Sequence, residues 1–159
     1  MIALTKAECH AKHGLRGPIL PFDYLPVQAY LGGCPWRVAV ASMMLCRARG
    51  FSVRPILSSV LELWDAPVAL ATADEAMLTT LLHPLGFQRL RARRLTRFSS
   101  LWDSEWNDMR ELPGVGVYVA DAVGLFCFGC VELESDDRAL GGYVDAIEGA
   151  AAGQAAMRD

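Results

Sequence analysis

The segment Leu112-Pro113-Gly114-Val115-Gly116-Val117-Tyr118-Val119-Ala120-Asp121-Ala122 combines residue types suited to holding an anion. Its two glycines permit backbone angles that other residues resist, and they leave no side chain where a charged group must approach. A helix that starts at once afterwards aims free N–H groups and its positive dipole end at that point. Such a turn suits phosphate, bound through the backbone and without base specificity. Asp137 follows 21 residues after Gly116, at the start of the last predicted helix. A carboxylate there usually caps the helix. It can also balance a developing positive charge or accept a proton from water. Asp136 is the rival carboxylate, and it or Ser135 can serve as the cap instead.

Arginines form two groups. Arg89, Arg91, Arg93, Arg94 and Arg97 fall within nine residues, and Arg47, Arg49 and Arg54 make the second group. The net charge is −3, with acids gathered at Glu132, Glu134, Asp136 and Asp137. Placement matters more than the total, so a basic face on an acidic chain is open, against a solvated helix face with no partner. Five cysteines, at positions 9, 34, 46, 127 and 130, make an odd set, and Met1 to Gly14 lacks an apolar leader segment. Reduced thiols in an intracellular protein are the expectation. Zinc at Cys127-Phe128-Gly129-Cys130 would need two more ligands, which Cys9, His10 and His13 could supply only by folding back, so buried thiols are expected there.

These residues need a scaffold. At 159 residues, with 53% apolar and 21% charged, the chain fits one folded domain and excludes disorder. Helical patterning begins at Pro35, a first-turn proline, and continues to Ala48, with Val40, Met43, Met44 and Leu45 on the apolar side and Gly50 ending it. Ser52 caps a second helix through Leu63, and Thr72 caps a third through Leu82. His83-Pro84-Leu85-Gly86 is a tight connection, and Phe87 to Leu101 a basic amphipathic helix. A short piece around Glu105 to Arg110 precedes the glycine turn, and helices follow over Val117 to Cys127 and Asp137 to Ile147. Leu112 to Leu133 is apolar and about long enough to cross a bilayer, but Pro113, its glycines and Asp121 argue against a span. No stretch alternates with period two, so the fold reads as all-α. The expected organisation is an N-terminal arm over residues 1–20, a domain over 21–148, and a fraying Ala/Gly-rich tail over 149–159.

The glycine turn and the aspartate after it together resemble the helix-hairpin-helix glycosylase superfamily, which includes endonuclease III and adenine glycosylase. Over roughly Gln28 to Ile147 the chain is similar to the methyl-CpG-binding mismatch glycosylases. Pro35-Trp36-Arg37 with Leu45-Cys46-Arg47 resembles that family's P-W-K…L-N-R. His83-Pro84-Leu85-Gly86-Phe87, Arg91-Ala92 and Phe98-Ser99 resemble its P-L-G-L…R-A…F-S. Phe126-Cys127 matches its F-C, and Asp137-Arg138-Ala139-Leu140-Gly141-Gly142-Tyr143 matches its D-H-K-L-N-K-Y in spacing.

The resemblance implies a compact helical bundle with a DNA-binding cleft, and a monofunctional glycosylase that excises a uracil or thymine mispaired with guanine from double-stranded DNA. It makes Asp137 the catalytic carboxylate. Gln28 would read the base edge with an amide that both donates and accepts. Tyr118 stands where bifunctional relatives carry a nucleophilic lysine, so it would line the base pocket and form no Schiff base. Arg47 and Phe87 would wedge into the base stack. Leu112, Gly114, Val115, Gly116, Val117, Arg91 and Arg94 would meet the phosphates, and the Leu112 and Gly114 carbonyls would hold a monovalent cation. No catalytic metal, organic cofactor or iron–sulfur cluster is implied, since no cysteine follows Cys130; the expected protein is a monomer without membrane contact. Cys46 replaces the family's asparagine and Pro113 its histidine, which leaves the mismatch preference open. The alternatives are action on a 5-substituted pyrimidine, a non-catalytic DNA-binding module in which Asp137 only caps, and an unrelated helical interaction protein.

Overall fold

The chain is all-helical, as its patterning requires. A computed structural model describes residues 3–12 and 26–156. Among these the α-helices are α1 (Lys6–Lys12), α2 (Pro35–Leu45), α3 (Gly50–Leu63), α4 (Pro67–Ala71), α5 (Glu75–Leu82), α6 (Gln88–Ser100), α7 (Val117–Phe128) and α8 (Arg138–Ala156). Short 3-10 turns lie at Val27–Tyr30, His83–Leu85 and Met109–Glu111. Among the described residues there is no strand.

Two helices carry the core because their sequences leave no polar side. α2 buries Trp36 and every residue from Val38 to Met44, and α7 buries every residue from Val119 to Leu125. They pack against each other, so the apolar run around α7 is the interior of the domain. No helix among the described residues is long and apolar enough to cross a membrane. α6 is amphipathic instead: Ala92, Leu95 and Phe98 face inward against α4 and α5, while Arg89, Arg93, Arg94 and Arg97 are exposed. The Trp36 indole Nε1 donates to Ser99 Oγ at 3.2 Å, tying α2 to α6 through a buried polar contact.

Several helix ends differ from the expectation. α2 stops at Leu45 rather than Ala48, and Gly50 opens α3 instead of ending α2. Ser52 therefore lies inside the first turn of α3, and Arg49 occupies the N-cap without a side-chain bond. Thr72 is the C-cap of the unforeseen α4, its Oγ1 donating back to Val68 O at 2.9 Å. Asp74 caps α5, accepting the Met77 N–H at 2.8 Å. α8 continues to Ala156, so the segment read as a fraying tail is helical that far. The boundary expected at residues 20 and 21, residues 157–159 and His13 lie outside the described residues.

The N-terminal helix is docked. Leu4 and Cys9 are buried, and the Leu4 carbonyl accepts the Met109 N–H at 3.0 Å. The His10 ring stacks on Trp102 at 5.1 Å between centroids. Among the described residues no group of three His, Cys, Asp or Glu could hold a metal.

Burial, reinforced by the Glu8 and Asp108 carboxylates, pushes the Cys9 thiol up to about 12. Only ~10⁻⁴ of it is thiolate at pH 8. A thiol reagent at pH 8 should therefore leave Cys9 unmodified in the folded protein and label it after denaturation. The sign follows for stability. The unfolded thiol ionises from about pH 8.5 while the folded one stays neutral. Stability should fall as pH rises from there toward 12, and more steeply than in Cys9→Ala. Equal slopes in denaturant titrations would show that Cys9 is not buried as described.

Candidate active site and nucleic-acid interface

Four helix ends converge on one open cleft of ≈ 1170 Å³: the end of α2 with the turn after it, and the starts of α3, α7 and α8. Its lining brings together Gln28, Arg47, Tyr118 and Asp137, with Cys46 and Tyr143 beside them. Gln28 is 2% exposed. Its Nε2 donates to the Tyr118 hydroxyl at 2.9 Å and to Ser42 Oγ at 3.3 Å. Ser42 Oγ donates onward to Val38 O at 2.8 Å. Both amide hydrogens are thus committed, and among the described residues Oε1 accepts no hydrogen bond. An incoming group meets an acceptor there, rather than the donor and acceptor that the amide alone suggests. Burial, with the Asp137 charge nearby, pushes the Tyr118 phenol well above its ordinary range, and the bond from Gln28 only partly offsets this. The phenol keeps its proton and can donate it into the cleft.

Asp137 is itself the cap of α8. Its Oδ1 accepts the N–H groups of Ala139 at 3.0 Å and Leu140 at 2.9 Å. Neither Ser135 nor Asp136 does this. Capping occupies one oxygen, and among the described residues Oδ2 accepts no hydrogen bond. Capping and chemistry are therefore compatible in one half-buried side chain.

The loop that delivers Asp137 is held by Asp121, a residue absent from the site expected on sequence. Asp121 is buried in α7, and its Oδ2 accepts the Glu134 N–H at 3.0 Å and the Ser135 N–H at 2.7 Å. The signal was a charge inside an otherwise apolar helix, which is rare without a buried partner.

In the glycine turn Gly114 has φ +84°, which favours glycine. Val115 N–H donates to Leu112 O at 3.2 Å and Leu112 N–H to Met109 O at 3.0 Å. These two amides shape the turn, so Leu112 and Val115 cannot donate to a phosphate as expected. Gly116 and Val117 can, because the first amides of a helix have no partner within it. Gly114, Gly116 and Val117 are exposed. Arg94 stands beside the turn: its Cβ is 3.8 Å from where a Gly114 side chain would begin. Arg93 turns instead to Glu75 at 3.3 Å.

Arg47 and Phe87 face each other, with the Arg47 guanidinium carbon 6.0 Å from the Phe87 ring centroid. Phe87 is 59% exposed, so it is no core aromatic. Arg91 corrects the expectation of a phosphate contact. It is buried, and its guanidinium donates to five backbone carbonyls, which leaves nothing for a phosphate. The cleft rim carries one more unforeseen residue, Phe51, which is exposed.

No protein-family model matches the chain. It is 33% identical over 113 residues to a methyl-CpG-binding domain protein 4-like protein of Arabidopsis thaliana, covering 70% of this chain and 25% of that one. It is 31% identical over 136 residues to an adenine DNA glycosylase of Mycolicibacterium smegmatis, covering 80% and 46%. A thymine-DNA glycosylase of Aeropyrum pernix is 30% identical over 106 residues, covering 62% and 48%. The chain thus spans between a quarter and half of the length of these relatives. Among solved structures, a non-covalent endonuclease III–DNA complex superposes with a TM-score of 0.59 at 19% identity, covering 66% of this chain and 53% of that one. A thermostable thymine-DNA glycosylase superposes with a TM-score of 0.55 at 18% identity, covering 60% and 48%. These likenesses establish the fold.

The two turn glycines separate by experiment. A Cβ on Gly114 would lie 2.5 Å from Met43 Cε, at a backbone angle that alanine resists. Gly114→Ala should lower stability by about 1–3 kcal/mol. A Cβ on Gly116 meets nothing within 4 Å. Gly116→Ala should melt like the parent yet bind duplex DNA more weakly, by about fivefold, or 1 kcal/mol. Unchanged duplex binding in a folded Gly116→Ala would rule out phosphate at this turn.

Proposed function

This chain belongs to the helix-hairpin-helix DNA glycosylase superfamily, and from that premise we propose that it is a monofunctional DNA glycosylase acting on a flipped-out pyrimidine. The observation that carries the reading is the meeting of Gln28, Tyr118 and Asp137 in one cleft that also receives Arg47. Gly116, Val117 and Arg94 bind the phosphate backbone, and the carbonyls of Leu112 and Gly114 would hold a monovalent cation that adds positive charge there. Arg47 and Phe87 fill the stack from which the base has turned. In the cleft, Gln28 Oε1 accepts the N3–H of a uracil or thymine, and the Tyr118 hydroxyl donates to a base carbonyl. Water attacks the anomeric carbon as the bond to the base nitrogen breaks, and the base leaves with the bonding electrons. Asp137 Oδ2 balances the positive charge that builds on the sugar and takes the proton from water. Flipping costs least at a mismatch, which favours uracil or thymine opposite guanine.

The chain holds two lysines, Lys6 and Lys12, both in α1. Lys6 Nζ is held by Asp103 O at 2.9 Å and by Glu105. Tyr118 in place of an amine therefore supports hydrolysis without strand cleavage.

Two experiments test this function. Asp137→Asn should keep the cap and change stability by about 1 kcal/mol or less. Its release of base from a panel of mismatched and modified duplexes should fall by orders of magnitude, while Asp136→Asn keeps most activity. If no base on the panel is released even by the parent, the chain is a binding module and the enzyme reading fails. Secondly, the product should be an intact abasic strand, cut only by later alkali. A borohydride-trapped protein–DNA adduct would demand an amine nucleophile and overturn the hydrolytic mechanism.

A further inference from the structure

Among the described residues two non-glycine residues have positive φ, Arg47 at 57° and Phe87 at 50°. Such conformations are strained for residues with a side chain and persist only where surrounding structure over-determines them. Neither side chain repays the strain with burial, since both are exposed. The restraint on both comes from one buried guanidinium. Arg91 Nη2 donates to Cys46 O at 2.7 Å, immediately before Arg47, and Nε donates to Gly86 O at 2.8 Å, immediately before Phe87. The same group reaches Met44 O at 3.0 Å, Met43 O at 3.3 Å and Leu85 O at 3.3 Å. It thereby joins the carbonyl end of α2 to the connection before α6. A planar fork with five donors can span these carbonyls, and a lysine ammonium with three cannot.

We propose that Arg91 is the positioning residue for a composite wedge: by clamping the two turns it fixes the spacing at which the Arg47 cation and the Phe87 ring meet. This rests on the glycosylase reading. A wedge matters only where a base stack must be held open. In single-stranded DNA the target base has no partner to leave and no gap to fill. Loss of wedge geometry therefore slows excision from duplex and spares excision from single strands, which neither general destabilisation nor loss of a catalytic group does.

The test is single-turnover excision by the whole chain, from a mismatched duplex and from the same target strand alone, below the melting temperature of each variant. Arg91→Lys should lose roughly tenfold or more on duplex and stay within about threefold of the parent on single strands. Phe87→Ala, which leaves the clamp intact, should show the same duplex-specific loss. The double variant should be little worse than the more defective single variant, because both act on one wedge. Equal losses on both substrates in folded Arg91→Lys would assign Arg91 to general architecture and overturn the proposal. So would parental duplex activity in Phe87→Ala, which leaves no wedge to position, whether or not Arg91→Lys folds. If the parent excises from neither substrate, the glycosylase reading itself fails, a result separate from either of these.

Discussion

The packing of α2 against α7 is the constraint on which the other features depend. Both helices are buried over most of their circumference, so neither can rotate or slide without exposing apolar side chains or opening voids. Their ends are fixed in consequence. The carbonyl end of α2 opens onto the cleft and onto the turn that carries Arg47. The amide end of α7 meets the glycine turn, whose Gly116 lies two residues before Tyr118. Met43 of α2 touches the space beside Gly114, so the glycine turn is moulded directly on the core.

Two charged side chains are buried next to this pair, and neither is neutralised by an opposite charge. Arg91 satisfies carbonyls and Asp121 satisfies amides, all from backbone outside regular hydrogen bonding. A buried charge that meets several backbone dipoles is stabilised without a counter-ion, while removing it strands those dipoles. Arg91 holds the two turns that present Arg47 and Phe87. Asp121 holds the chain just before Asp137. These loops are thus located by charge-assisted contacts to main chain rather than by side-chain partners.

Charge on the surface follows the same local logic. The chain is acidic overall, yet Arg94 stands at the glycine turn while Arg93, its neighbour, turns to Glu75. Helical periodicity sends consecutive arginines to different faces, so a run of basic residues supplies fewer cations to one surface than its count suggests.

The all-α class, the glycine turn and the aspartate after it were legible in the sequence, whereas the hydrogen bond between Gln28 and Tyr118 was not. Each of the three rests on a local rule or a spaced motif: helical periodicity, glycine's backbone freedom, a carboxylate at a set spacing after the turn. Helix ends were less so. Ser52 and Thr72 have capping chemistry, but Arg49 and Asp74 hold the N-cap positions, because packing decides where each helix begins. Only the tertiary structure decided which charges face solvent. Arg91 and Arg94 lie three residues apart on α6 and read alike as phosphate ligands. One meets the carbonyl end of α2 and is consumed by it, while the other stands exposed beside the turn. Asp121 and Asp137 likewise look equivalent as carboxylates. The first is enclosed with amide donors and the second lines the cleft. A residue's type sets which bonds it can make, and long-range packing sets which partners arrive.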